Sequence, residues 1–207
     1  MSPSPPLRHL RSLLASALLL ALGACTLLPE SEPMHVHVLP AFPSEWSPPP
    51  PLDATLRVET PAASASLSGN RILVMPGDNR LSVYQGARWS DPTPQLVRDR
   101  LIEAFQQIGG FTAVFDENSR LPADMALASD LRAFHSVYTN DRPEAVIRLD
   151  VRLVDESDGR LVASRRFEQR EPSEATDVEA VVAAFGRAAD ALSRKLVAWS
   201  HELVSER

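Results

Sequence analysis

The chain has 207 residues, of which 44% are hydrophobic, 23% charged and 6% aromatic, with 18 Pro, 8 Gly and one Cys. That is enough for a single domain with its own core. The net charge of −6 and the lack of any basic run argue against nucleic acid as a partner. One cysteine excludes an internal disulfide, a CxxC redox pair and a cysteine-based zinc site.

Arg8, His9 and Arg11 form a basic start, and the run LLASALLLAL from Leu13 to Leu22 is of almost unbroken apolar character before Gly23-Ala24-Cys25. Ten apolar residues span roughly 15 Å as a helix, about half of a hydrocarbon core, so the segment reads as a secretion signal and not as a membrane span. Leu22-Gly23-Ala24-Cys25 resembles the bacterial lipobox, in which the cysteine sulfur receives a diacylglyceryl group before cleavage. The one cysteine stands where that motif needs it. Residues 1–24 are therefore expected to be a signal peptide, with Cys25 as the lipidated first residue of the mature protein. Diacylglyceryl and N-acyl chains together exceed the two-signal threshold for stable anchoring. Thr26, rather than an acidic residue, follows the cysteine, which points to export to the periplasmic face of the outer membrane. Loss of Arg8 and Arg11 removes two positive charges from −6 and leaves −8, an acidic body that argues against attraction to anionic lipid.

Twelve of the 18 prolines lie in the first 61 residues, including Pro48 to Pro51. Residues 25–53 are thus expected to be a lipidated tether with a polyproline spacer. Within it, His35-Val36-His37-Val38-Leu39, bounded by Pro33 and Pro40, has the alternation of a short edge strand.

The packed domain is expected over residues 54–207. Thr55–Glu59 alternates, Arg71–Met75 reads as a buried strand stopped by Pro76-Gly77, and Leu81–Tyr84 follows the Asp78-Asn79 turn. Thr93 followed by Pro94 reads as an N-cap and first helical position, with apolar residues from Leu96 to Ile108 at helical spacing until Gly109-Gly110. Residues 111–115 are a short strand. Residues 125–137 alternate loosely, whereas 145–153 alternate cleanly, with Ala145, Ile147, Leu149, Val151 and Leu153 on one face. A turn at 155–160 leads to a hairpin partner running from Leu161 to Phe167. Thr176-Asp177-Val178-Glu179 reads as a capping box, opening a helix whose stripe runs Val178, Val182, Phe185, Ala189, Leu192, Leu196, Trp199, Leu203. Such a stripe suits a long helix closing one face of a sheet better than a coiled coil.

The lipobox, the strand ending in Val38-Leu39, Arg71-Ile72-Leu73-Val74, Asn79-Arg80-Leu81, Val83-Tyr84 and Arg88-Trp89-Ser90-Asp91-Pro92 before a helix resemble, in that order, the ABC-type transport auxiliary lipoprotein family. The hairpin 145–167 and the helix near Trp199 also fit. His35 and His37 stand where the family often has tyrosine, and the proline-rich insert is longer than usual. The resemblance implies an α/β fold of one domain, a mixed, largely antiparallel sheet flanked by helices, similar to the anticodon-binding-domain-like folds and the amino-terminal domain of TolB. It implies a non-catalytic accessory of an MCE-type (mammalian cell entry) ABC system moving lipids or other hydrophobic molecules across the periplasm. The partners would be an MCE-domain protein with its permease and ATPase, and the membrane through the anchor; homo-oligomers are compatible with this. A general envelope scaffold or assembly lipoprotein is the alternative.

The residues themselves show no phosphate loop, no GxSxG elbow and no HExxH. No cofactor is expected beyond the acyl groups on Cys25. His35 and His37 at i, i+2 lack an evident third ligand, so exposed strand histidines are expected, not a metal site. His201 reads as a solvated helix-end residue, and Asp155, Glu156 and Asp158 as a hairpin turn lacking the bidentate glutamate of a calcium loop. Tyr84, Arg88 and Trp89 are the best candidates for contact with a partner, since these residue types dominate binding hot spots. Trp89 has a second reading as packing at the helix entry, and Trp46 is balanced between partner contact and disorder.

Overall fold

The computed structural model describes residues 33–40, 49–77 and 79–207. Cys25, Trp46 and Asp78 lie outside them. The elements in chain order are β1 (His35–His37), β2 (Leu52–Val58), β3 (Ala62–Ala63), β4 (Arg71–Gly77), β5 (Arg80–Trp89), α1 (Thr93–Ile108), β6 (Phe111–Asp116), β7 (Met125–Thr139), β8 (Arg142–Asp155), β9 (Arg160–Pro172) and α2 (Val178–Ser205). They form an α/β domain with a mixed, mostly antiparallel open sheet of nine strands and two helices.

The 15-residue strand β7 is the spine. Along one edge it pairs antiparallel with β8 from Met125↔Asp155 to Thr139↔Arg142, and β8 pairs with β9. Along the other edge three strands lie parallel to it in turn: β2 at Met125–Leu127, β3 at Asp130–Leu131 and β4 at Ser136–Val137. β6 extends the β2 branch, and β5 then β1 extend the β4 branch. The border strands are therefore β1, β6 and β9.

Both helices pack on one face, α2 against β8, β9 and α1, and α1 against β6 and β2. The alternation of β8 explains why: all five odd positions from Ala145 to Leu153 are buried beneath the helices, while Arg148, Asp150 and Arg152 face away. β7 alternates only loosely because a bulge between Leu131 and Ala133 reverses its parity. Leu127 and Leu131 point to the core before the bulge, and Phe134 and Ser136 after it.

Several expectations shift at the local level. Thr93 is the first helical residue and not the N-cap of α1; its buried hydroxyl donates to the Leu67 carbonyl, tying the loop before β4 to the helix start. The cap of α2 is Asp177, whose carboxylate accepts from the Ala180 N–H at 2.8 Å, so the register lies one residue past Thr176 and no capping box forms. The stripe of α2 is too narrow as read, because Val181, Ala184 and Ala188 are also fully buried, on the side where Arg187 and Lys195 bond Glu171 and Gln169 of β9. β1, read as a strand within the tether, is hydrogen-bonded parallel to β5. β2 begins at Leu52.

Two glycines matter here. A Cβ on Gly186 of α2 would sit 2.8 Å from the Pro40 ring, so the chain leaving β1 can cross the helix only because that side chain is absent. Gly110, at φ +71°, turns the chain out of α1 with its Cα against the Pro50 carbonyl, which also lies 2.8 Å from Nε2 of His201. His201 is therefore half-buried and bonded to the chain entering β2, not a solvated end residue.

Candidate interaction surface

The segment from Tyr84 to Trp89 is the lower half of β5, and alternation splits its side chains between the two faces of the sheet. Trp89 is fully buried on the helix face. Its ring meets Phe134 edge-on at 5.7 Å and Phe185 at 5.4 Å, and those two phenyl rings stack at 4.8 Å. Its role as a contact residue is thus corrected: the indole links β5, β7 and α2, and no partner reaches it. Tyr84 is half-buried, with its hydroxyl 3.1 Å from Oγ of the buried Ser136. Burial raises its phenol above the ordinary value. Of the three candidates only Arg88 is exposed. It stands directly opposite Arg71 on β4 and beside Val36 on β1. Among the described residues neither Arg71 nor Arg88 has an ion pair or a side-chain hydrogen bond. Sequence reasoning passed over Arg71, because nothing in sequence spacing places residue 71 opposite residue 88.

Across the middle of β7, β8 and β9 on the face away from the helices, charge is matched, although the exposed Arg142 at the start of β8 has no ion pair among the described residues. Asp150 accepts from Arg166 at 2.5 Å and from Arg132 at 2.9 Å, and Asp130 from Arg152 at 2.6 Å. Glu168 accepts from Arg148 at 2.6 Å and Arg170 at 2.8 Å, and Arg170 reaches Glu144 at 3.0 Å. The arginine bonds hold the Asp150 carboxyl far below its ordinary value and bring Glu168 down to about 2. The loop from β8 to β9 is stitched in the same way: Asp155 bonds the Ser157 N–H and Arg207, and Glu156 meets Arg57 at 2.5 Å. These acids thus serve the turn and its neighbours.

One ion pair is buried. Arg100 of α1 approaches Asp190 of α2 at 3.4 Å and Glu103 at 3.2 Å, and its guanidinium also lies 3.4 Å from the Leu39 carbonyl. Burial pushes the Asp190 carboxyl up to about 6, with Arg100 offsetting only part of the cost. Leu39 packs over this junction beside Val97 and Leu192. His35 and His37 have no companions for a metal, since no group of three His, Cys, Asp or Glu side chains comes together among the described residues. No helix among them is long and apolar enough to cross a membrane.

A sheet covered by helices on one side and by paired charges on the other defines an α/β module whose free surfaces are suited to contact. Its fold is similar to the crystal structure of protein XCC0632 from Xanthomonas campestris, a DUF330 protein, with TM-score 0.76 and 33% identity over 83% of this chain and 97% of that one. The hypothetical protein CT253 of Chlamydia trachomatis shares the fold at TM-score 0.52 and 10% identity, over 75% of this chain and 99% of that one. In sequence, the uncharacterized protein bll6063 of Bradyrhizobium diazoefficiens is 33% identical over 150 residues, which are 72% of this chain and 40% of that protein. This chain thus matches less than half the length of that relative. The model of the ABC-type transport auxiliary lipoprotein component family matches residues 37–197, and the chain belongs to that family. It is an auxiliary lipoprotein of ABC-type transport, of a kind anchored to an envelope membrane.

Proposed function

We propose that the protein is a non-catalytic accessory of an MCE-type ABC system, acylated on Cys25, held at the periplasmic face of the outer membrane, and in contact with the MCE-domain protein whose permease and ATPase drive movement of lipids or other hydrophobic molecules. The observation that carries this reading is the family match, which spans the folded domain from β1 to α2. The lipobox at 22–25 and the contact-type surfaces accord with it. A non-catalytic role is in keeping with a face of paired arginines and carboxylates held far from proton-transfer range.

The test is recovery of the detergent-solubilised full-length protein with its partners. An alkyne fatty acid should label the wild type and not Cys25→Ala, and the MCE-domain protein should copurify with the labelled form. Recovery of a barrel-assembly or peptidoglycan complex in place of the MCE protein would favour the scaffold role. Equal labelling of both forms would remove the anchor.

A further inference from the structure

We propose that the β1 border of the sheet, on the face away from the helices, rests against an anionic lipid bilayer. The inference rests on the anchor at Cys25 proposed above and names the surface the anchored domain turns to the membrane.

Met34, Val36 and Val38 alternate along this border and are 46, 52 and 67% exposed. The intervening His37 pairs with Trp89 in the register of β1 and β5, and Trp89 faces the helices. Val36 therefore projects from the opposite face, whereas Val38, past the end of β1, lies beside Leu96, Asp99 and Glu103 of α1. Beside it, Val36 is in register with Arg88, and Arg88 with Arg71. Like charges directly opposite each other on a sheet repel. On the β7 to β9 part of the same face, the arginines at 132, 148, 152, 166 and 170 are all met by carboxylates of the chain. Arg71 and Arg88 are not and, unlike the lone Arg142 at the start of β8, they oppose each other across the ladder, so their counter-charge is assigned to something outside the domain.

The position of the anchor selects the bilayer as that source. Eight residues lie between Cys25 and Met34, and the nine steps that join them reach at most about 30 Å, whereas a domain of this size is about 40 Å across. The border from which the chain emerges is held closer to the membrane than the far side can be. An exposed valine flanked by two guanidiniums matches the headgroup boundary, with carbon turned toward the acyl chains and charge at the phosphates. The acidic remainder of the body is repelled by the same surface, which favours one orientation over others.

The experiment uses the full-length acylated protein in vesicles of phosphatidylcholine with and without phosphatidylglycerol. Acylation leaves Cys25 without a free thiol, so a cysteine introduced as Val36→Cys, or as Leu161→Cys on the far border strand β9, is the only site for an environment-sensitive fluorophore. Brominated lipid should quench the Val36→Cys label and spare the Leu161→Cys label. Phosphatidylglycerol should strengthen the difference, and Arg71→Gln and Arg88→Gln should each reduce the membrane-facing population roughly fivefold. Equal quenching at the two positions, or quenching indifferent to both arginines, overturns the orientation. So does a Val36→Cys label that lipid leaves alone but the transporter proteins protect, which would make the border a protein contact. If Cys25 itself takes the label and the protein does not float with the vesicles, the anchor fails, and the orientation with it.

Discussion

Replacing Trp89 by alanine should unfold part of the core, not merely weaken association. The side chain is wholly buried and closes a cluster with Phe134 and Phe185. An indole removes roughly 150–250 Å² from water, worth about 4–6 kcal/mol at 25 cal/mol per Å², and each edge-to-face contact adds about 0.5–1.5 kcal/mol. Against this, the Nε1–H is buried without a hydrogen-bond partner, a desolvation cost of about 1–3 kcal/mol that truncation relieves. The balance for Trp89→Ala is a loss of about 3–5 kcal/mol, in line with other large-to-small core changes. For a domain of this length that lowers Tm by about 6–20 °C. Trp89→Phe keeps one six-membered ring against Phe134 and Phe185 and drops the unpaired N–H together with the five-membered ring, so it should cost less than Trp89→Ala. Calorimetry or thermal circular dichroism of both variants measures the two costs. A Trp89→Ala protein that melts with the wild type yet no longer copurifies with its transport partners would refute the packing argument and restore the indole as a contact.

Asp190 sets a pH dependence of stability. Its carboxyl titrates near 6 in the fold against an ordinary 3.8, so the folded state binds the proton more tightly. Its contribution to stability should then rise as pH falls from 7 toward 4, by at most about 3 kcal/mol. Asp150 and Glu168 are shifted the other way and subtract stability from about pH 5 down, and His135, held below its ordinary value by burial, subtracts it from about pH 7 down; urea denaturation should therefore show the stability difference between wild type and Asp190→Asn moving in favour of the wild type as pH falls from 7 to 4. Leu192→Ala, at a position 2% exposed between α2, α1 and β8, should cost about 2–5 kcal/mol, and an unchanged urea midpoint would place the stripe outside the monomer core. Gly186→Ala puts a methyl into the Pro40 ring, so it should loosen the segment after β1, seen as faster amide exchange at residues 37–39, and leave exchange in β8 unchanged.

What could be read from sequence follows the range of the interactions involved. β8 and α1 were legible because alternation and helical spacing are local, and each buries one face only. The wide burial of α2 was not, since the helix is flanked by β9 on the side of Ala184 and Ala188 and by α1 on the side of Asp190 and Ser193. The cap moved from Thr176 to Asp177 because two adjacent residues carry equally good acceptors, and the helix axis, not the residue type, decides between them. The contact segment suffered most: Tyr84, Arg88 and Trp89 look alike as hot-spot residues, but strand alternation and the bulge around Gly86, at φ +66°, distribute them between core and surface. The facing of Arg71 and Arg88, and of Arg100 and Asp190, depends on register between distant segments, which composition and periodicity do not encode.

The arrangement of three parallel strands along one edge of β7 constrains how the chain can fold. β2, β3 and β4 are all made before residue 125, and although β6 and β5 pair with β2 and β4 on one side, each of the three has an edge that only β7 fills. The N-terminal third of the domain is therefore left with unpaired edges until the segment through Thr139 has emerged. Closing those loops spends chain entropy before any contact returns it, the regime in which folding is slow. A chain delivered across a membrane from its N-terminus would spend that interval with those edges open to lipid and to its neighbours. The β7–β8–β9 meander, whose pairings are all between sequence neighbours, is the natural nucleus, and the arginine-carboxylate ladder on its outer face keeps that nucleus soluble while the rest waits to dock.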